Sequence, residues 1–154
     1  MGDYRIQEAD LTVPDGWSDQ SLSVFKIPGA EGRRDASFVI TRDPTRGGTA
    51  FDAYVARQQA QCRESLPGFK LRHADAFAFG EWPAAWMEFT WSNQGTELLL
   101  RQVYIDRGPT VLICTLTAHP DDLAHLDPVW RSVMNSLRLR PLPEAPPFPP
   151  LRPA

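Results

Sequence analysis

The stretch between Phe69 and Ala118 constrains the fold most, because it predicts four consecutive strands joined by very short turns. Its apolar runs carry aromatic and β-branched residues, and Gly-containing dipeptides separate them. The predicted strands are 70–79, 82–92, 96–106 and 110–117, and the turns between them are Gly80-Glu81, Gln94-Gly95 and Arg107-Gly108. Strands joined in this way pair as an antiparallel meander, so the rest of the chain must pack on the resulting sheet.

The turn at Gln94-Gly95 predicts the register of the second and third strands. With a two-residue loop, Glu88 lies opposite Arg101 as an opposite-charge cross-strand pair. On the other face, the apolar Met87, Phe89 and Trp91 meet Gln102, Leu100 and Leu98, respectively. One apolar and one mixed face is the pattern of a correctly registered, half-buried hairpin.

The turn at Arg107-Gly108 adds the fourth strand to the same sheet. As a two-residue loop, it places Val111 beside Tyr104 and Ile113 beside Gln102. Gln102 then lies in the middle of an otherwise apolar face, which is unusual because a buried amide requires hydrogen-bond partners.

Strands precede the meander as well. Residues 4–13 have weak strand character, and two stronger candidates are 21–27 and 36–41. In the first of these, Leu22 and Val24 face one way, while Phe25 and Ile27 face the other.

A helix is predicted over 49–65, with Thr49 and Asp52 as a capping box at its start. Its apolar stripe consists of Phe51, Val55, Cys62 and Leu66, with Tyr54 beside it. The middle of the stripe falls on Gln58 or Gln59, which is the second glutamine on an apolar face.

A last helix is predicted over 128–138, with Asp127 as its cap and Pro128 at its first position. Its stripe is Leu126, Trp130, Val133, Met134 and Leu137, which should dock on the sheet. The predicted fold class is therefore α+β: a bent antiparallel sheet of about six to seven strands with two main helices packed on it.

Composition predicts one soluble domain followed by a tail. The 154 residues carry a net charge of −3, which favours neither nucleic acid nor an anionic membrane as a partner. We expect a domain over 1–140 and a Pro-rich tail over 141–154, where seven of fourteen residues are proline. Such a tail lacks the composition to form a core and should be extended or disordered. With no signal peptide and no apolar run long enough to span a membrane, the expected location is cytoplasmic.

Catalytic chemistry is not evident in the sequence. The three histidines have no metal-ligand spacing, and there is no Gly-x-Ser-x-Gly elbow. The two cysteines, Cys62 and Cys114, fall in apolar patterns, so buried free thiols are expected rather than a disulfide. We expect no catalytic residue, no metal and no cofactor, and hence not an enzyme.

Several short motifs carry a family likeness. They are Val13-Pro14-Asp15-Gly16-Trp17, Asp19-Gln20-Ser21, Thr41-Arg42-Asp43-Pro44, Leu66-Pro67-Gly68-Phe69 and Pro83-Ala84 followed by a strand. In order and spacing the chain resembles the DcrB-like family of the PsbP/Mog1/DcrB fold over about residues 3 to 140. Within that family it most resembles the Eag chaperones of bacterial type VI secretion.

The resemblance implies a homodimeric chaperone without membrane insertion. Its partner would be a secreted effector of PAAR or Rhs type, whose N-terminal apolar transmembrane helices it shields before export. The implied client-binding groove consists of Leu22, Val24, Val39 and Leu66, with Gln58 and Gln102 as its polar positions. Two alternatives stay open: a DcrB-like structural or accessory protein of the cell envelope, and glutamines that bond each other or the backbone inside the core.

Overall fold

The computed structural model describes residues 2–5 and 7–141, so all of the predicted tail beyond Pro141 lies outside the described residues. The strands in chain order are β1 (Gly2–Arg5), β2 (Asp10–Val13), β3 (Ser23–Ile27), β4 (Ala36–Asp43), β5 (Lys70–Phe79), β6 (Trp82–Asn93), β7 (Thr96–Asp106) and β8 (Val111–Ala118). The helices are α1 (Phe51–Ser65), between β4 and β5, and α2 (Leu123–Ser136), after β8.

One six-stranded antiparallel sheet organises the fold, with the strand order β3-β4-β8-β7-β6-β5. The predicted meander forms its β5 to β8 part. Because β4 pairs with β8, the early hairpin β3-β4 extends the sheet at the far end. Strands β1 and β2 form a separate two-stranded sheet. The α+β class predicted from the sequence is confirmed.

The β6–β7 register is the predicted one. Glu88 pairs with Arg101, and Met87 pairs with Gln102. The turn between the strands has positive φ at both central residues, 51° at Gln94 and 85° at Gly95. A two-residue turn of this kind matches the twist of the flanking strands, which keeps the register fixed.

The β7–β8 register differs from the prediction by two residues. Ile113 pairs with Tyr104, and Thr115 pairs with Gln102, because the loop has four residues, 107–110, rather than two. A tight two-residue turn would require positive φ at Arg107, and only Gly108 adopts it. A shift of two residues keeps every side chain on its predicted face.

The sheet has two covered faces, each packed against one helix. The face that α1 covers, called here the α1 face, has a core of Tyr54, Met87, Phe89, Tyr104 and Val111. The opposite α2 face has a core of Phe38, Ala84, Val103, Ile105, Cys114, Leu116 and Met134. Alternation along the strands assigns successive residues to these two cores.

The two cysteines lie on opposite faces of the sheet and are free thiols, as predicted. Cys62 packs with the α1-face core, whereas Cys114 is buried in the α2-face core. Burial raises the pKa of the Cys114 thiol to about 11, so this side chain stays neutral at physiological pH.

Both helices begin at positions that differ from the predictions. Helix α1 begins at Phe51 after Ala50, and no side chain caps it, so the capping box of Thr49 and Asp52 was wrong. Arg46 instead fixes the approach to the helix, because its Nε donates to the Thr49 carbonyl oxygen.

Helix α2 begins five residues before Pro128, which lies inside it. An earlier start buries Leu126 against the sheet, and this packing outweighs the lost helical hydrogen bond. Asp127 was therefore wrongly predicted as a cap: it accepts hydrogen bonds from Arg101 and Arg131. Of the predicted stripe, Val133 faces solvent.

A buried ion network holds α2 on the sheet. The Nε of Arg101 donates to Glu88 at 2.6 Å, its Nη1 donates to Asp127 on α2, and its guanidinium lies 4.8 Å from the ring centre of Trp130. The hydrogen bond from Arg101, followed by that from Arg131, lowers the pKa of Asp127 below its usual value. Arg101 therefore joins β6, β7 and α2 in one cluster.

Removing one partner of this network should lower the stability of the fold. Arg101→Met leaves Glu88 buried without its main partner, and we expect the free energy of unfolding to fall by about 3–5 kcal/mol. The double variant Glu88→Leu with Arg101→Met should recover much of the loss, because no buried charge is then left unpaired. Urea unfolding measures both.

The control is Arg5→Met, which breaks an exposed ion pair with Asp10 and should change the unfolding free energy by less than about 1 kcal/mol. A double variant that is less stable than Arg101→Met alone would contradict the account of the network.

Candidate functional site

The α1 face is covered unevenly. Helix α1 packs over β6, β7 and the start of β8, while the β3–β4 end of the same face stays open. There Leu22 is 55% exposed and Val24 is 60% exposed, and Val39 beside them is half-buried. We call these three residues the apolar strip.

Two residues of the strip and one of the two glutamines belong to a single row across the sheet. Val24 pairs with Val39, Val39 pairs with Thr115, and Thr115 pairs with Gln102. Residues in register on adjacent strands point to the same face. The fold therefore brings three of the predicted site residues into line, from the sheet edge toward α1, with Leu22 just before β3.

Gln102 is partly satisfied by its neighbours. Its Oε1 accepts a hydrogen bond of 2.6 Å from the hydroxyl of Tyr104, and its Nε2 reaches only Thr115, at 3.5 Å. Burial raises the pKa of Tyr104 far above its usual value, so that hydroxyl stays protonated and donates. An amide nitrogen has two N–H donors, which leaves Gln102 with donor capacity toward the open part of the face.

Gln58 lies on the sheet-facing side of α1, one turn from Tyr54 and one turn from Cys62. Tyr54 contacts Tyr104 edge-to-face, with 6.2 Å between the ring centres, so the helix presents this side near Gln102. Gln58 is half-buried, and none of the described residues forms a hydrogen bond with its side-chain amide. Within the described part of the chain, the two glutamines do not bond each other.

Leu66 lies apart from the row, at the end of α1. It caps the helix in an extended conformation and packs, half-buried, with the α1-face core. The next residue binds β6, since the Pro67 carbonyl oxygen accepts from the backbone N–H of Ser92. The structure therefore does not bring Leu66 next to the apolar strip: Leu66 lies beside β6 in the covered part of the α1 face, whereas the strip lies at β3–β4.

The described residues contain no evident catalytic or metal centre. Among residues 2–5 and 7–141, no group of three or more His, Cys, Asp or Glu side chains is placed to hold a metal ion. No helix in the part of the chain that the structure describes is long and apolar enough to cross a membrane. The open end of the α1 face offers apolar contact and amide hydrogen bonding, and Lys26 on the same face adds a cation that pairs with Asp35 at 3.1 Å.

The sequence reasoning missed a large cavity on the other face of the sheet. It has a volume of about 880 Å³ and lies between α2 and the β5–β6 hairpin. Its aromatic walls come from Phe77, Phe79, Trp82, Trp86 and Trp130, and we call it the aromatic cavity. The even spacing of Phe77 and Phe79, and of Trp82 and Trp86, was a signal for one shared strand face.

Known proteins resemble this chain over nearly its whole described part. The sequence model of the DcrB family matches residues 8–136. The protein named Effector EagT6 from Pseudomonas aeruginosa is 46% identical over 140 residues, which are 91% of this chain and 97% of that protein.

Two solved structures extend the comparison. A Pseudomonas aeruginosa protein described as of unknown function superposes with a TM-score of 0.85 at 45% identity, covering 92% of this chain and 99% of that one. LpqN of Mycobacterium tuberculosis, described as involved in cell envelope biogenesis, has a TM-score of 0.50 at 14% identity, covering 79% of this chain and 85% of its own. The second likeness concerns the fold alone.

The exposure of the apolar strip predicts tolerance of a charge there. Val24→Asp should lower the free energy of unfolding by no more than about 1 kcal/mol, the range of strand propensity. Met87→Asp, in the same row but buried, should cost at least about 3 kcal/mol, because its carboxylate would lose its hydration. Thermal melts and urea unfolding compare the two. Equal destabilisation by both would mean that the strip is part of the core.

Proposed function

This chain belongs to the DcrB family, and we propose that within it the chain serves as a cytoplasmic chaperone for a type VI secretion effector of PAAR or Rhs type. Its task would be to bind and shield the effector's N-terminal transmembrane helices before export. The observation that carries the proposal is the open apolar strip of Leu22, Val24 and Val39. Val24 and Val39 are in register with Gln102, a glutamine that has an unused donor.

The relatives support this assignment. The 46% identity with Effector EagT6 spans nearly the full length of that protein, and similarity of this extent accompanies a shared fold. The resemblance of the sequence motifs to Eag chaperones points the same way. The alternative role in the cell envelope is supported only by the fold shared with LpqN, at 14% identity.

The physical need for such a surface is simple. A transmembrane helix is apolar on all sides, so in water it aggregates unless another apolar surface covers it. The exposed side chains of Leu22 and Val24 offer that surface at the edge of the sheet. Burial there is favourable by about 25 cal/mol for each Å² of apolar area removed from water.

The glutamines add hydrogen bonds, which are directional, to this non-directional apolar contact. Polar side chains in transmembrane helices hydrogen-bond with partners on neighbouring helices. Gln58 and the free N–H of Gln102 can serve a client hydroxyl or carbonyl in the same way. Each such neutral hydrogen bond contributes about 0.5–1.5 kcal/mol.

The homodimer implied by the resemblance is part of the same proposal. In the described structure β5 is an edge strand, and its residues Ala74, Ala76 and Ala78 are exposed on one face. An unpaired edge lined by small side chains allows close approach of a second copy. Light scattering on the purified complex gives the number of chaperone copies for each client.

Charge in the apolar strip should abolish client binding. In pull-downs of a co-expressed client carrying its apolar helices, Leu22→Asp and Val24→Asp should retain no detectable client, because the carboxylate would be desolvated without a partner. Gln58→Ala and Gln102→Ala should each weaken binding by about 1 kcal/mol, or roughly fivefold.

The matched control is Phe25→Asp. Phe25 neighbours Val24 on the same edge strand and is 56% exposed, but it points to the α2 face. It should keep the client and a normal melting temperature. Full client retention by folded Val24→Asp, or equal loss with Phe25→Asp, would refute the proposed surface.

A further inference from the structure

The aromatic cavity has no role in the proposed client binding, which uses the opposite face of the sheet. Its volume of about 880 Å³ lies in the upper part of the range of about 300–1,000 Å³ typical of ligand-binding pockets. Its lining comes from the β5–β6 hairpin, from α2 and the residues just after it, and from Val103 on β7. Phe77 in this lining is 39% exposed, so a ligand in the cavity would remove aromatic surface from water.

Guanidinium groups already stack on the three tryptophans of the cavity. Arg101 lies 5.8 Å from the ring centre of Trp86 and 4.8 Å from that of Trp130, and Arg107 lies 4.3 Å from that of Trp82. A cation is attracted to the negative charge on the faces of an aromatic ring. A second cation would share the same ring with a guanidinium, so a cationic ligand gains less here than in an unoccupied aromatic cage.

The charged side chains in the lining favour an anion on one side of the cavity. They are Glu81 on the β5–β6 hairpin, and Arg131 and Arg138 on the α2 side. Arg131 donates from Nε to the carboxylate of Asp127, which compensates part of its charge.

Arg138 is the cation available to a ligand. Its Nη1 donates to the backbone carbonyl oxygens of Asn135 and Leu137, which holds the guanidinium at the end of α2. Its Nε and Nη2 have no acceptor, and its charge has no carboxylate partner, among the described residues. An anion there would form charge-assisted hydrogen bonds with these donors.

The remaining lining is almost entirely apolar. Apart from Glu81, Arg131, Asn135 and Arg138, every residue that lines the cavity is apolar or glycine. Binding pockets of this kind combine apolar walls with a few polar groups that orient the ligand. The matching ligand has one anionic end and an apolar remainder, and the volume exceeds what a small aromatic acid would fill.

We propose that the aromatic cavity binds a single-chain amphiphile with an anionic head group, a carboxylate or a phosphate. The alkyl chain lies against the tryptophan and phenylalanine rings, and the head group accepts hydrogen bonds from the Nε and Nη2 of Arg138. Because the cavity and the client surface lie on opposite faces of the sheet, this proposal is independent of the chaperone function.

Titration of the full chain with laurate tests the location of the site. In ¹H–¹⁵N spectra, the indole signals of Trp82, Trp86 and Trp130 should shift and saturate below the concentration at which laurate aggregates. Trp17 and Trp91 lie outside the cavity and should keep their positions. The amide signals of β3 should also stay unchanged, which distinguishes the cavity from the apolar strip on the other face.

Chain length tests the apolar part of the site. From octanoate to laurate, each added methylene should tighten binding about fourfold, because each one buries further apolar surface. Phe77→Ala should weaken the binding of laurate and of uncharged dodecanol alike. The matched control is Phe25→Ala, exposed on the same face but outside the cavity, which should leave both affinities unchanged.

The head group tests the role of Arg138. Arg138→Gln should weaken laurate binding about tenfold, as expected for hydrogen bonds to a charged group, and should leave dodecanol binding unchanged. Arg140→Gln is the matched control, because Arg140 is exposed nearby and does not line the cavity. Dodecyl phosphate, titrated in parallel, shows which of the two anions binds more tightly.

Three results would overturn the proposal. The first is an absence of shifts at Trp82, Trp86 and Trp130 before laurate aggregates. The second is equal weakening of laurate binding by Arg138→Gln and Arg140→Gln. The third is shifts in β3 as large as those in the cavity, because the fatty acid would then coat any apolar surface of the protein.

Discussion

The register of β6 and β7 is the constraint on which the rest of the structure depends. Alternating side chains send Met87, Phe89 and Gln102 to the α1 face, and Glu88 and Arg101 to the α2 face. A slip of β7 by one residue would send Arg101 to the α1 face and Gln102 to the α2 face, which separates Arg101 from Glu88. The positive φ at Gln94 and Gly95 prevents that slip. This two-residue turn therefore determines which side chains each face of the sheet presents.

The two faces consequently have different chemistry. On the α2 face, Arg101 connects Glu88 with Asp127 and stacks on Trp130, so that face is held by charge and aromatic packing. On the α1 face, the charged groups have partners: Lys26 pairs with Asp35, and Asp43 accepts from the Tyr54 hydroxyl. Gln102 is satisfied only in part, by Tyr104. The neutral donor of Gln102, in register with exposed Val24, suits an apolar client because it carries no charge to desolvate. The Lys26 side chain on the same face is 74% exposed, so its ammonium can stay in water.

Local signals made much of the fold predictable. The β6–β7 register followed from one turn and simple alternation, and Gln102 was noticed because it breaks that alternation. Non-local features were harder: nothing in the sequence near β4 indicates that it pairs with β8, which places Val39 in line with Gln102. The sequence predicted a two-residue turn at Arg107-Gly108, whereas the loop has four residues, 107–110. A non-glycine residue such as Arg107 adopts positive φ only at an energetic cost, and this cost outweighs the preference for a tight turn.

The residues of the candidate site could be predicted from the sequence, but the exposed surface that they form could not. Exposure decides whether Leu22 and Val24 can bind anything, and it depends on how far α1 extends across the sheet, which side-chain patterns do not specify. The start of α2 is a similar case. Burial of Leu126 outweighs a proline inside the helix, so tertiary packing overrode the local cap signal at Asp127.

Amide hydrogen exchange of the purified complex tests the central claim, that an apolar client helix covers the open α1 face, most directly. Strand β3 is an edge of the sheet, paired only with β4 among the described strands, so its amides should exchange readily in the chaperone alone. Client binding should slow exchange in β3 and β4 and leave the α2 helix unchanged. Protection of α2 and the β5–β6 hairpin, with β3 unaffected, would contradict the account.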